Sequence, residues 1–332
     1  VIAQDVTAVR NVNVGLILSE SGPAKEISRS WLQGVQLAIE RLGKQGKTVL
    51  IRTEDAGSSA SKTAKAYKSL VENYKVEGIV GGSLPYLLER LVPLTKIHKV
   101  PVVSPSVPQE ALSSKAKNTP LVRTMGYSIE GAERPLEKFF RQHLTRSCAI
   151  VRGDSRSEAA WAKVYRQAAL GAGCELVYEK EITFKNYRTQ LVSAAVSLSR
   201  KNPDVVMLPL DSSGIQIMSR ELFRLRDYPL FVTGPEFVSS FELSPSGEHF
   251  KNFFVLYPEY FAEEFYSDFY KKFGTKPSLY SASGYDAMVV LYSAIVAKRS
   301  LGEISRSETL MKDSMVLKRV VGDMLEEDTK KE

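Results

Sequence analysis

Reactive and metal-binding side chains are scarce in this chain of 332 residues. There are two cysteines, Cys148 and Cys174, and three histidines, His98, His143 and His249. No CxxC holds the cysteines and no HExxH holds the histidines, so a zinc site of either spacing is excluded. GxSxG, GxGxxG and the Walker GK[ST] pattern are also absent, which removes the serine-hydrolase elbow, the dinucleotide fingerprint and the P-loop. Ser59-Ala60-Ser61-Lys62 has SxxK spacing, but its SDN and KTG companions are missing and the position suits a helix cap. No carboxylate pair stands apart from the solvated charges, so there is no acid/base dyad to build an enzyme on. We therefore expect no catalysis and no cofactor. A run of about 18 apolar residues, the minimum for a sequence-evident membrane helix, does not occur. The first residue is Val1 rather than Met, and we expect a processed or excised chain, with no signal segment in it.

What is present is ordinary globular material. Hydrophobic residues make up 43% and charged residues 25%, enough for two cores at usual domain size. The formal net charge is +7, but Lys and Arg are interspersed with acids, as at Glu137-Lys138. A solvated basic surface is the simpler reading, and no nucleic-acid partner is expected.

Short β-branched runs alternate with longer amphipathic stretches, the pattern of parallel α/β units. Strands are expected at 13–18, 48–53, 78–83 and 100–104. Between them Ile27, Trp31, Val35, Ala38, Ile39 and Leu42 form one helical stripe. A second helix, capped by Ser59 or Ser61, has Ala64, Tyr67, Leu70 and Val71 inside and Lys62, Lys65 and Lys68 outside. A second series follows residue 128, with strands at 148–152, 175–183, 204–209, 229–233 and 252–256. Its helices start near Glu158, Tyr187 and Gly214. From Tyr260 onward the chain reads as helical, most plainly at 263–273 and 285–298. No Pro/Gly/Ser tether separates the two series, which suggests a hinged body with ligand groups at the carboxyl ends of the strands.

Three loops at such ends are candidates. Gly81-Gly82-Ser83 runs into a helix start, where unpaired N–H groups favour a carboxylate. Asp211 follows the strand at 204–209, and Glu236 follows the strand at 229–233 within Gly234-Pro235-Glu236. Each acid is read either as an ordinary loop acid or, together, as a pocket for a ligand ammonium. Cys148 and Cys174 open two strands that should be neighbours. Both a disulfide and two buried thiols stay open.

Taken in order, these pieces resemble the leucine/isoleucine/valine-binding proteins and their relatives of the type I periplasmic binding fold. The resemblance spans roughly residues 12 to 300. It rests on Ser21-Gly22-Pro23, Glu54-Asp55-Ala56, Ile79-Val80-Gly81-Gly82-Ser83, Val103-Ser104-Pro105-Ser106, Gly234-Pro235-Glu236 and Ser281-Ala282-Ser283-Gly284-Tyr285-Asp286-Ala287-Met288. It implies an α/β fold of two doubly wound lobes joined by three hinge crossovers, near Tyr127-Ser128, near Tyr257-Pro258 and around 314–319. The lobes would be 11–127 with 258–314, and 128–257 with 315–332. It also implies a ligand carboxylate at Ser83 and Ser106, beside Ser104 and Tyr86, an ammonium at Glu236, and an aromatic wall at Tyr280. Ser157 stands where an aromatic clamp is expected, as does Ile27 or a neighbour. Pro108 replaces a threonine, and Gly57 replaces a cysteine, so the family's small disulfide is missing.

The function this implies is solute binding for an ABC importer. An amino acid or related small carboxylate would be held between the lobes by hinge closure and passed to a membrane permease. The expected location is periplasmic or otherwise extracytoplasmic, with a lipoprotein form before processing. The alternative is an envelope regulatory or protein-interaction module with a degenerate site. Relatives that repress transcription carry a DNA-binding helix pair, and the ten residues before Asn11 are too few for one.

Overall fold

The computed structural model describes residues 11–225, 229–235, 252–260, 263–297, 310–321 and 324–327. The chain forms two compact units and passes between them three times. The first unit comprises the residues up to Tyr127 and Tyr260–Lys312; the second comprises Ser128–Glu259 and the residues from Asp313.

In the first unit, β1 (Val12–Leu18), β2 (Val49–Asp55), β3 (Gly78–Gly81), β4 (Val102–Ser104) and β5 (Val122–Thr124) form one sheet in the order β2-β1-β3-β4-β5. All four pairings are parallel; Leu16, for example, lies between Thr53 and Val80. Helices α1 (Lys25–Lys44), α2 (Ala60–Glu72), α3 (Pro85–His98) and the single turn α4 (Ser114–Lys117) connect these strands. The side-chain period of two divides β1 between two cores. Val12, Val14, Leu16 and Leu18 join Trp31, Val35, Ala38 and Leu42 of α1, while Ile17 joins Tyr67 and Leu70 of α2 and Leu88 and Leu91 of α3. Ser59 caps α2, accepting from the Lys62 N–H at 3.4 Å, and Lys62, Lys65 and Lys68 are exposed.

In the second unit, β6 (Ser147–Arg152), β7 (Glu175–Glu181), β8 (Val205–Met207), β9 (Leu230–Thr233), β10 (Phe253–Tyr260), β11 (Met311–Val321) and β12 (Met324–Glu327) run in the order β12-β11-β10-β9-β8-β6-β7. Among the described residues its helices are α5 (Glu133–Gln142), α6 (Arg156–Ala172), α7 (Tyr187–Lys201) and α8 (Ser212–Arg224). Helices α9 (Glu263–Phe273) and α10 (Leu279–Ala297) both belong to the first unit.

One expectation is corrected here. The chain does not stay helical after Tyr260, because β11 and β12 form an antiparallel hairpin that extends the second sheet. Helix α10 runs from Leu279 and so reaches six residues ahead of the stretch that reads most plainly as helical, because Ser281, Ser283 and Gly284 lie on its buried face. Among the described residues α10 alone has the length and hydropathy to cross a membrane, yet it is a core helix, 67% buried. It packs backbone to backbone on α1. A Cβ on Gly34 would press into the Ser281 carbonyl, and one on Gly284 into the Trp31 carbonyl, so only glycine permits this crossing.

Candidate functional site

Both sheets place the crossover reversal beside their first strand, between β1 and β3 and between β6 and β8. In open α/β sheets, ligands gather at this switch point, outside the carboxyl ends of the strands. The loops there are therefore the candidate site.

In the first unit the β3–α3 turn is built around Gly82, whose φ of 77° an L side chain rarely adopts. Three of the expected hydroxyls meet at this turn. Ser104 Oγ donates to the Gly82 carbonyl at 2.9 Å and Ser106 Oγ to the Ser83 carbonyl at 2.8 Å. Both are buried and spend their protons on the backbone, so they shape the turn rather than present an O–H. Ser83 differs. Its Oγ, in a residue 3% exposed, accepts from Trp31 Nε1 at 3.0 Å, and no described residue accepts its own proton. Tyr86, in the first turn of α3, donates to the Ser58 carbonyl at 2.8 Å, and partial burial pushes its phenol pKa up. Ser58 in turn donates to the Ser21 carbonyl at 2.8 Å and accepts from the Ala24 N–H at 3.0 Å. Asp55 Oδ1 accepts from the Glu20 and Gly57 N–H groups at 2.9 and 2.8 Å, which hold its carboxyl below the usual range. The loops after β1, β2 and β3 are thus laced together by side chains. Tyr280, near the start of α10, is half-buried against the cluster that contains Trp31.

In the second unit, Asp211 is the N-cap of α8. Its Oδ1 accepts from the Gly214 N–H and from Tyr187 Oη, each at 2.7 Å, while Oδ2 has no partner among the described residues. Burial, reinforced by the Asp211 carboxylate, pushes the Tyr187 phenol far up, so it stays a neutral donor. Ser157 is buried in the first turn of α6, next to a capping box formed by Ser155 and Glu158. Gly153 leaves room for the Glu158 carboxylate, and Gly234 for the Trp161 ring, 2.8 Å from where a Cβ would sit. Glu236 lies outside the described residues. Sequence reasoning passed over Trp31 as a partner of Ser83, Tyr187 as a partner of Asp211, and Ser58 as the loop fastener. Only Asp211-Ser212-Ser213-Gly214 carried a readable signal, that of an N-cap. No three His, Cys, Asp or Glu side chains among the described residues are grouped to hold a metal.

A doubly wound sheet with polar loops at its switch point, occurring twice in a chain that passes three times between the units, is the architecture of a two-unit binding protein. The chain belongs to the periplasmic binding protein family, whose sequence model matches residues 11–312. No curated protein matches it by sequence. Solved structures share the fold at low identity. The branched-chain amino acid transporter substrate-binding protein LivJ from Streptococcus pneumoniae, in complex with isoleucine, is 17% identical over 96% of this chain and 98% of its own, with a TM-score of 0.75. The leucine-binding protein LivK from Thermotoga maritima is 19% identical over the same shares, with a TM-score of 0.75. An ABC-transporter solute-binding protein from R. palustris, in complex with benzoate, is 15% identical over 96% of each chain, with a TM-score of 0.74.

Proposed function

We propose that this chain binds a small organic carboxylate and serves as the extracytoplasmic solute-recognition component of an ABC importer. One observation carries the reading: the buried Ser83 hydroxyl accepts from Trp31, and no described residue accepts its own proton. A hydrogen bond received from an indole polarises the O–H and makes it a better donor to an anion. The N-terminus of α3 adds partial positive charge beside it. Isoleucine and benzoate, bound by two of the similar proteins, have a carboxylate in common. In this reading Ser104 and Ser106 support Ser83 by shaping its turn. Asp211, through Oδ2, and Glu236 receive an ammonium where the solute has one, and Tyr86, Ser157 and Tyr280 line its remainder. The two units would close on the solute and present it to a permease.

The test is a thermal scan against amino acids and aromatic carboxylates. A true ligand at a hundredfold excess over Kd stabilises the fold by about 2.7 kcal/mol. Ser83→Ala should then weaken binding by calorimetry roughly tenfold or more, the cost of a hydrogen bond to a charged group. Silence across the panel, with no small molecule retained in native mass spectrometry, would sink the reading. That result is what a second reading predicts, an envelope interaction module with a vestigial site. The inward-turned hydroxyls of Ser104 and Ser106 favour it.

A further inference from the structure

The two cysteines lie outside the candidate site, at the amino ends of β6 and β7. Cys148 is the second residue of β6 and pairs in register with Leu176 of β7. Cys174 stands two positions before Leu176, so strand alternation brings its side chain to the face that Cys148 occupies. Its backbone is fixed from both sides. The Cys174 N–H donates to the Ala169 carbonyl at 2.8 Å, closing α6 around the left-handed Gly173 (φ 76°), and the Glu175 N–H donates to the Arg146 carbonyl at 2.8 Å. Asp204 ties the start of β8 to the same corner, accepting from the Arg146 and Ser147 N–H groups at 2.8 and 2.9 Å. Both cysteines are buried, at 0% and 3% exposure, both are free thiols, and each perturbs the ionisation of the other.

We propose that Cys148 and Cys174 are a covalent modification site, the reduced form of a disulfide that staples β6 to β7 when the chain folds with a disulfide oxidant. Small buried thiols packed singly are common and inert. Two buried thiols on one face of neighbouring strands, in a family of periplasmic binding proteins, sit where oxidising conditions favour the bridge. Cys148 lowers the Cys174 thiol and is itself pushed up, so Cys174 is the first of the two to ionise, against the resistance of burial and of Asp204. The Cys174 thiolate attacks one sulfur of the oxidant disulfide and releases one oxidant thiolate, leaving a mixed disulfide on Cys174. Cys148 then gives up its proton and attacks the Cys174 sulfur, releasing the second oxidant thiolate. The protein loses two protons and two electrons, and the oxidant disulfide becomes two thiols. Because both sulfurs are buried in the finished fold, the exchange belongs to the folding chain rather than to the folded protein.

The experiment is to unfold the reduced protein and refold it in a mixture of reduced and oxidised glutathione. The product is alkylated after denaturation without reductant, then weighed intact and as peptides. The expected product is lighter than the reduced chain by two hydrogens, takes up no alkylating agent, and yields one cross-linked peptide pair containing Cys148 and Cys174. It should melt at a higher temperature than the same protein refolded under reductant, while a Cys148→Ala/Cys174→Ala variant should melt identically in both buffers. Two alkylated thiols, or cysteines carrying only separate glutathione adducts, would overturn the proposal. Neither outcome bears on ligand binding, so the two readings fail independently.

Discussion

Replacing Gly34 by alanine tests the α1–α10 crossing on which the first unit is built. The new methyl would sit 2.7 Å from the Tyr285 nitrogen and closer still to the Ser281 carbonyl oxygen, where ordinary carbon contacts are about 3.5–4.0 Å. Both obstacles are backbone, so no rotamer change relieves them and the helices must part by about 1 Å or more. Overpacking of this kind costs about 1–3 kcal/mol, occasionally more, and alanine returns about 1 kcal/mol of helix propensity. Parting the helices also disturbs fully buried Trp31 and its bond to Ser83. With that bond worth about 0.5–1.5 kcal/mol, we expect a net loss of about 1–3 kcal/mol. Gly43→Ala is the internal control: it lies on the same helix with nothing within 4 Å, and should stabilise by up to about 1 kcal/mol. The chain's two tryptophans fall one in each unit, so Trp31 fluorescence in a Trp161→Phe background reports the first unit during urea unfolding. If Gly34→Ala shifted the midpoint in the same direction as Gly43→Ala, the close crossing would be wrong.

Asp55 gives a pH dependence of known sign. Its carboxyl is depressed by the Glu20 and Gly57 N–H groups, so its contribution is complete above the ordinary carboxylate range and is lost as pH falls through the depressed value. Asp55→Ala should therefore flatten the acid limb of melting temperature against pH; a wild-type–variant difference unchanged by pH would refute this. Tyr187→Phe removes the donor to Asp211 and should cost about 0.5–1.5 kcal/mol in urea unfolding followed by Trp161. Gly214→Ala should cost more, since its Cβ would strike the Tyr187 hydroxyl, and a smaller loss than in Tyr187→Phe would contradict that packing. Closing Cys148–Cys174 spans a loop of roughly 27 residues and should add about 3.5 kcal/mol by chain entropy, read as the difference in unfolding free energy between oxidised and reduced protein.

The elements that could be read from the sequence are those whose burial pattern is periodic and local. β1 alternates Val12, Val14, Leu16 and Leu18 toward one core, and α1 repeats Trp31, Val35, Ala38 and Leu42 at helical spacing. The three-residue β5 passed unread because Val122–Thr124 is too short to show alternation, and only its pairing with β4 makes it a strand. Helix α5 was legible and overlooked, for Leu136, Phe139 and Phe140 stand at i, i+3 and i+4. The hairpin of β11 and β12 depends on a sheet edge made by distant residues. At the site, the position of Ser83 followed from a strand end and those of Ser104 and Ser106 from the family resemblance, but the direction of each O–H did not. That direction is set by Gly82's left-handed turn and by Trp31, 52 positions away from Ser83. Asp211 was readable as an acid and equally as a cap; the cap bond to Gly214 is formed, and it occupies only one of the two oxygens.

The loops of the first unit also explain how the fold tolerates Gly57, the position at which the family resemblance leads to the expectation of a cysteine. A disulfide there would hold the β2–α2 loop; here the same loop is held by three side chains at once. Ser58 reaches the β1–α1 loop at Ser21 and Ala24, Asp55 reaches it at Glu20, and Tyr86 reaches Ser58 from α3. Each bond is worth about 1 kcal/mol net, so together they approach what a short cross-link supplies. They differ from a covalent bond in that each opens independently. Gly22 and Gly57, both at positive φ, leave room for the Ser58 and Ser21 hydroxyls that approach within 2.8 Å of their missing Cβ positions. Loops fastened this way hold the turn that carries Ser83, and under the proposed function they would let that turn adjust to carboxylates of differing shape.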